Sequence, residues 1–124
     1  MQVNVEQILA WNPDMIVIHE AAVGVNPSAI YDNPQFKQLA AVKNKKVYKL
    51  PEFALMSHMA SLTWYWYGAL AYPDKFSTHN IRDVIAEGYK FSYNIALTDE
   101  EINQVFRLDA NKDSQYYVEK FSKK

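Results

Sequence analysis

The sequence predicts an α/β fold: a short, mostly parallel sheet in a three-layer α/β/α lobe, with a helix-rich C-terminal half. Three observations predict it. Met15-Ile16-Val17-Ile18 is a brief unbroken apolar run rich in β-branched residues, the pattern of a parallel strand buried on both faces. It follows a helical pattern and a Pro-Asp turn, which together make an αβ unit. From the residues after Pro51 onward, the apolar spacing is helical in one segment after another.

The elements follow in order. Asn4 is placed as the N-cap of a first helix, with Gln7 three residues on as in a capping box. Val5, Ile8, Leu9 and Trp11 recur at helical spacing, and Asn12-Pro13 stops the helix. After the strand, His19 to Val25 reads as a loop. Asn26-Pro27 and Asn33-Pro34 each put proline at a first helical position, so two short helices follow, the second striped by Phe36, Leu39 and Ala40. Lys43-Asn44-Lys45-Lys46 is a polar turn into a second strand, Val47-Tyr48-Lys49-Leu50, ended by Pro51. Glu52 to His58 is again a loop. A helix from Ser57 or Ser61 to Tyr72 is apolar all round, the mark of packing on several sides. Asn80-Ile81-Arg82-Asp83 opens a helix with Val84, Ile85, Tyr89 and Tyr93 toward the core. Thr98-Asp99-Glu100-Glu101 is a capping-box start for another, carrying Ile102, Val105 and Phe106. Asp113 to Phe121 is assigned a last short helix.

Length and composition narrow the function. At 124 residues the chain is one domain's worth, and its net charge of −1 offers no basic excess for nucleic acid. The absence of cysteine excludes thiolate nucleophiles, iron–sulfur clusters, Cys-ligated zinc and disulfides. Nine Tyr, six Phe and three Trp are a heavy aromatic load, which serves either a core or a ligand surface. No apolar run approaches the ~20 residues of a membrane helix. Met1-Gln2-Val3-Asn4-Val5 has neither the basic nor the apolar region of a signal peptide. Two buried parallel strands do not make a stable sheet by themselves, so either further strands lie unread in this chain or, the favoured reading, the rest of the sheet lies in sequence that is absent here.

Four segments then carry a resemblance. Val5 to Val17 (VEQILAWNPDMIV) and Asn33 to Pro51 (NPQFKQLAAVKNKKVYKLP) resemble consecutive segments of class III periplasmic substrate-binding proteins of ABC importers. Leu70 to Phe76 (LAYPDKF) and Leu97 to Ile102 (LTDEEI) are similar to late stretches of the same family. Order and gaps agree over about residues 3–107, leaving 108–124 as a tail. The resemblance implies that residues 1–124 are a partial C-terminal lobe of a two-lobe clamshell that holds its ligand in the cleft. It also implies a solute-binding role in importing a metal chelate such as a ferric siderophore, haem or cobalamin, without enzymatic activity and without a cofactor. The implied partners are the N-terminal lobe of the same protein, the ABC permease and the chelate. The implied location is the periplasm, or a lipid anchor at the cell surface.

The cleft wall in such folds comes from loops at the carboxyl ends of the strands, here His19 to Val25 and Glu52 to Met59. His19, directly after the first strand, either ligates a chelated metal, donates to a ligand oxygen, or caps neighbouring backbone. Glu20 either counters a cationic ligand or is a solvated loop charge. Met56, His58 and Met59 form a run of soft or borderline donors that would make a site only if they converged. His79 lies between helices and is assigned to the surface. Glu52 is the candidate docking carboxylate for permease arginines, although relatives place that Glu nearer the following helix, about where Ser57 or His58 stands. Trp64, Tyr65, Trp66 and Tyr67 are consecutive on a helix and point in four directions, so at least two are expected in the core rather than on one stacking platform. Two other functions stay open on the residues alone. One is a chelatase-like enzyme using His19 and Glu20. The other is a stand-alone α/β association domain that dimerises or swaps through an open sheet edge.

Overall fold

The computed structural model describes residues 4–52, 60–78 and 80–122. The chain divides into two compact units, Met1–Leu50 with Leu108–Lys120, and Pro51–Arg107 with Phe121–Lys124.

In the first unit, α1 (Val5–Trp11) begins with the expected capping box. Asn4 Oδ1 accepts from the Gln7 N–H at 2.8 Å, and Gln7 Oε1 accepts from the Asn4 N–H at 3.0 Å. Asn12 ends the helix in the left-handed region at φ 41°, which its short polar side chain tolerates. Its Oδ1 then accepts from the Ala40 N–H at 2.9 Å, at the start of α3 (Ala40–Lys43). Between these lie β1 (Ile16–Ile18), α2 (Pro27–Tyr31) and a 3-10 turn (Pro34–Phe36), the last two with proline at their starts. β2 (Val47–Lys49) pairs parallel with β1, Ile16 opposite Val47 and Ile18 opposite Lys49. Leu39, Ala41, Val42, Val47 and Ile18 form the core, with Ile8, Ile30, Tyr31 and Phe36 packed against it.

The two strands are not equally buried. β2 is buried at every residue, whereas β1 buries only Ile18 and leaves Ile16 and Val17 half-buried. Double-sided burial therefore holds for β2 alone. The Ile16 N–H bonds to Lys46 O and the Leu50 N–H to Ile18 O, so the backbone of Val17 faces away from β2. The other edge of β2 is closed by side chains. The Val47 N–H donates to the Tyr31 hydroxyl at 3.1 Å, and Val47 O accepts from Ser114 Oγ at 2.5 Å. Asn111 copies a peptide unit: its Oδ1 accepts from the Lys49 N–H at 2.6 Å and its Nδ2 donates to Lys49 O at 3.0 Å. A strand adding at this edge would have to displace Tyr31, Asn111 and Ser114. The 108–120 segment is thus part of the unit's architecture, ending in α7 (Tyr117–Phe121) as expected.

In the second unit, α4 (Ala60–Ala71) buries Leu62, Thr63, Trp66 and Ala69. Its packing is one-sided: Trp66 is wholly buried, but Trp64 is 69% and Tyr65 39% exposed, which corrects the expectation of contact all round. Gly68 and Gly88 mark close approaches, since a Cβ on Gly68 would lie 2.3 Å from the Phe76 ring and one on Gly88 2.9 Å from Leu62. α5 (Ile81–Tyr93) is capped by Asn80 and ends at left-handed Asn94. It buries Ile81, Arg82 and Ile85, while Tyr93 is 48% exposed, contrary to its expected inward position. The helical register that turns Ile81 and Ile85 inward carries Tyr93 out of the apolar stripe. α6 (Asp99–Val105) starts with the expected Thr98–Glu101 capping box and buries Ile102 and Val105. Arg82 joins this unit together, donating to Asn103 Oδ1 at 2.7 Å, Phe121 O at 2.9 Å and both Asp99 O and Oδ1 at 3.2 Å. Phe106 stacks on Phe121 at 4.9 Å. Among the described residues, no helix is long and apolar enough to cross a membrane.

Candidate functional site

The first unit presents the loop His19 to Val25 directly after β1, where open α/β sheets place ligands. The loop is closely bonded to itself. His19 O accepts from the Ala22 N–H at 3.1 Å, Ala21 O from the Val23 N–H at 2.9 Å, and Ala22 O from the Val25 N–H at 3.2 Å. Gly24 sits at φ 75°, a conformation that glycine adopts without strain. The His19 ring is exposed, and its Nδ1 accepts from the Ala21 N–H at 3.1 Å. It therefore does cap neighbouring backbone, one of the roles read from the sequence. Glu20 is half-buried beside it.

Beneath the loop lies a residue that sequence reasoning treated only as part of a strand. Lys49 is 2% exposed, and its ammonium donates to His19 O at 3.0 Å and Ala22 O at 2.6 Å. A buried lysine must have its charge met by hydrogen bonds. Here loop carbonyls meet it, so the charge and the loop conformation maintain each other. The signal in the sequence was a lysine inside an otherwise buried strand. Nearby, burial pushes the Tyr48 phenol up to about 12, with a further contribution from Tyr31, and burial likewise raises Tyr31.

Glu52 belongs to the second unit. Its carboxylate lies 2.9 Å from Arg107 Nη2, and its N–H donates to Val105 O at 3.0 Å. The side chain remains 54% exposed. Met56, His58 and Met59, with His79, lie outside the described residues. Among the described residues, no three His, Asp or Glu side chains gather as a metal site.

Comparison with known proteins gives a consistent picture. Residues 1–54 match the periplasmic binding protein family. The chain is 28% identical over 97 residues to the molybdate-binding protein MolA of Haemophilus influenzae, covering 74% of this chain and 27% of MolA. It superimposes on a periplasmic solute-binding protein of Veillonella parvula with TM-score 0.80 and 29% identity, over 90% of this chain and 36% of that one. Helicobacter pylori CeuE, solved with Ni-His, matches with TM-score 0.69 and 30% identity, over 82% of this chain and 33% of CeuE. The chain thus spans about a third of the length of the relatives it matches. The expected family relationship and the expected α/β lobe with its short parallel sheet are both borne out. These relatives are binding proteins, not enzymes.

Proposed function

We propose that this chain, with the lobe fold of the class III periplasmic binding proteins, is a C-terminal portion of the solute-binding component of an ABC importer. Its cargo in this reading is a metal-centred solute: a chelate of the siderophore, haem or cobalamin kind, a small nickel complex, or an oxyanion such as molybdate. The last two enter because CeuE was solved with Ni-His and MolA binds molybdate. The observation that carries the reading is the loop His19 to Val25, presented at the carboxyl end of β1 in a conformation fixed by its own hydrogen bonds. His19 and Glu20 are the contacts it offers to a ligand; Met56, His58 and Met59 are further candidate contacts on the sequence alone.

Glu52 serves in this reading as the docking carboxylate for a permease arginine. Its bond to Arg107 does not prevent that, because the Glu52 carboxylate stays 54% exposed, and an ion pair with a solvated partner is worth only ~0–1 kcal/mol. Exchanging one guanidinium for another then costs little. The location proposed is the periplasm.

Titrating the complete gene product with sodium molybdate, Ni(II) plus histidine, and a ferric siderophore, followed by tryptophan fluorescence, tests the proposal. We expect saturable binding of one class, with the ligand recovered unchanged and affinity reduced about tenfold or more by His19→Ala, the loss of one strong contact. Turnover of the ligand, or no binding by any of the three, refutes it.

A further inference from the structure

We propose that Lys49 fixes His19 as a hydrogen-bond donor, so that this loop recognises an anionic oxygen of the ligand and does not coordinate its metal. The inference rests on the reading that the loop His19 to Val25 lines the ligand site. It follows from which atom of the imidazole is already used. Nδ1 accepts the Ala21 N–H at 3.1 Å, so the proton of the neutral ring resides on Nε2. Metal ligation through Nε2 requires the opposite tautomer, which would set the ring's Nδ1–H against the Ala21 N–H. The exposed ring therefore offers a donor to whatever meets it.

Lys49 holds that arrangement from below. Its ammonium bonds to His19 O and Ala22 O, the first and last carbonyls of the turn that carries the Ala21 N–H. The Ala22 N–H closes the same turn on His19 O at 3.1 Å. The lysine touches no ligand; it is a positioning residue that sets the tautomer of the one that does. The Nε2–H so presented is met by an oxygen acceptor and not by a bare cation. A ligand that shows its oxygens outward, whether an inorganic oxyanion or a chelate with carboxylate or catecholate arms, supplies that acceptor.

Long-range proton–nitrogen NMR of the imidazole in the chain reads the tautomer directly. The expected result is Nε2–H for His19, with Lys49→Met shifting the ring toward a mixture and Lys49→Arg restoring it. An Nδ1–H ring in the unsubstituted chain overturns the inference, and so does an unchanged tautomer in a folded Lys49→Met variant. His19→Gln places an amide N–H where Nε2–H stands and leaves Lys49 unaltered. In the complete gene product it should keep sodium molybdate or ferric-siderophore affinity within about threefold, whereas His19→Ala loses about tenfold. Equal losses in both variants, or selective broadening of the His19 ring by Ni(II) alone, also overturn it. Failure of every probe to bind defeats the functional reading itself. Binding with the wrong tautomer defeats only this inference.

Discussion

Asn111→Ala tests whether the tail is a working part of the sheet. Asn111 is wholly buried, and its amide satisfies both the N–H and the C=O of Lys49 on the closed edge of β2, at 2.6 and 3.0 Å. Truncation strands two backbone groups in a strand with no exposed residue. Each stranded group costs ~1–3 kcal/mol, so the sum is set near ~3 kcal/mol once regained side-chain freedom is counted. Ser114→Ala is the internal comparison, because Val47 O keeps the Tyr31 hydroxyl at 3.1 Å after Ser114 Oγ is gone. That loss should stay near ~1 kcal/mol. Urea unfolding followed by far-UV circular dichroism gives both values, and native-state amide exchange at Lys49 locates the effect. Asn111→Ala should speed exchange at Lys49 by the same free energy that it removes globally, or more. A loss below ~1 kcal/mol, or equal losses in the two variants, would refute the surrogate-strand argument.

Three further outcomes follow from the packing. Gly68→Ala gains ~1 kcal/mol in helix propensity, but its Cβ would stand 2.3 Å from the Phe76 ring, so the melting temperature should fall. Arg82→Met removes the donors to Asn103, Phe121 O and Asp99 and should cost ~2–4 kcal/mol in denaturant titration; Arg82→Lys should recover little, since it lacks the planar fork. The Tyr48 phenol is held up to about 12 by burial, so its contribution to stability is complete below pH 10 and lost as pH rises through about 12. Urea midpoints measured from pH 9 to 12 should therefore fall less steeply for Tyr48→Phe than for the parent chain.

Local chemistry made much of this fold legible. Asn4 with Gln7, and Thr98 with Glu101, are capping boxes in sequence and in structure, because a capping box is closed by residues three apart. Pro27 and Pro34 start their helices for an equally local reason. The partners of Arg82, Lys49 and Asn111 were not legible, although a lysine inside a buried strand was itself a signal. Each is a polar residue buried by partners elsewhere in the chain, 62 residues away between Lys49 and Asn111. Periodicity assigns polar residues to the surface and has no means of seeing such pairings. The same blindness placed Tyr93 in the core and spread burial around α4, where Trp64 in fact faces solvent. At the candidate site, the position of His19 after a strand was visible, but the occupation of its Nδ1 was not, because that bond depends on how the loop turns.

The sheet edge and the loop meet in one residue, and this bears on how the site would bind. Lys49 is held by its backbone through Asn111 and holds the loop through its ammonium. A binding loop that is unsettled before its ligand arrives spends part of the interaction energy on becoming ordered. Here the carbonyls of His19 and Ala22 are tied to a strand whose own edge is closed, so the ordering has been done by folding. On the proposed function, specificity would then depend on the few atoms the loop leaves unspent, foremost His19 Nε2. It also depends on the tail, since loosening Asn111 would free the backbone of Lys49 and with it the anchor of the loop.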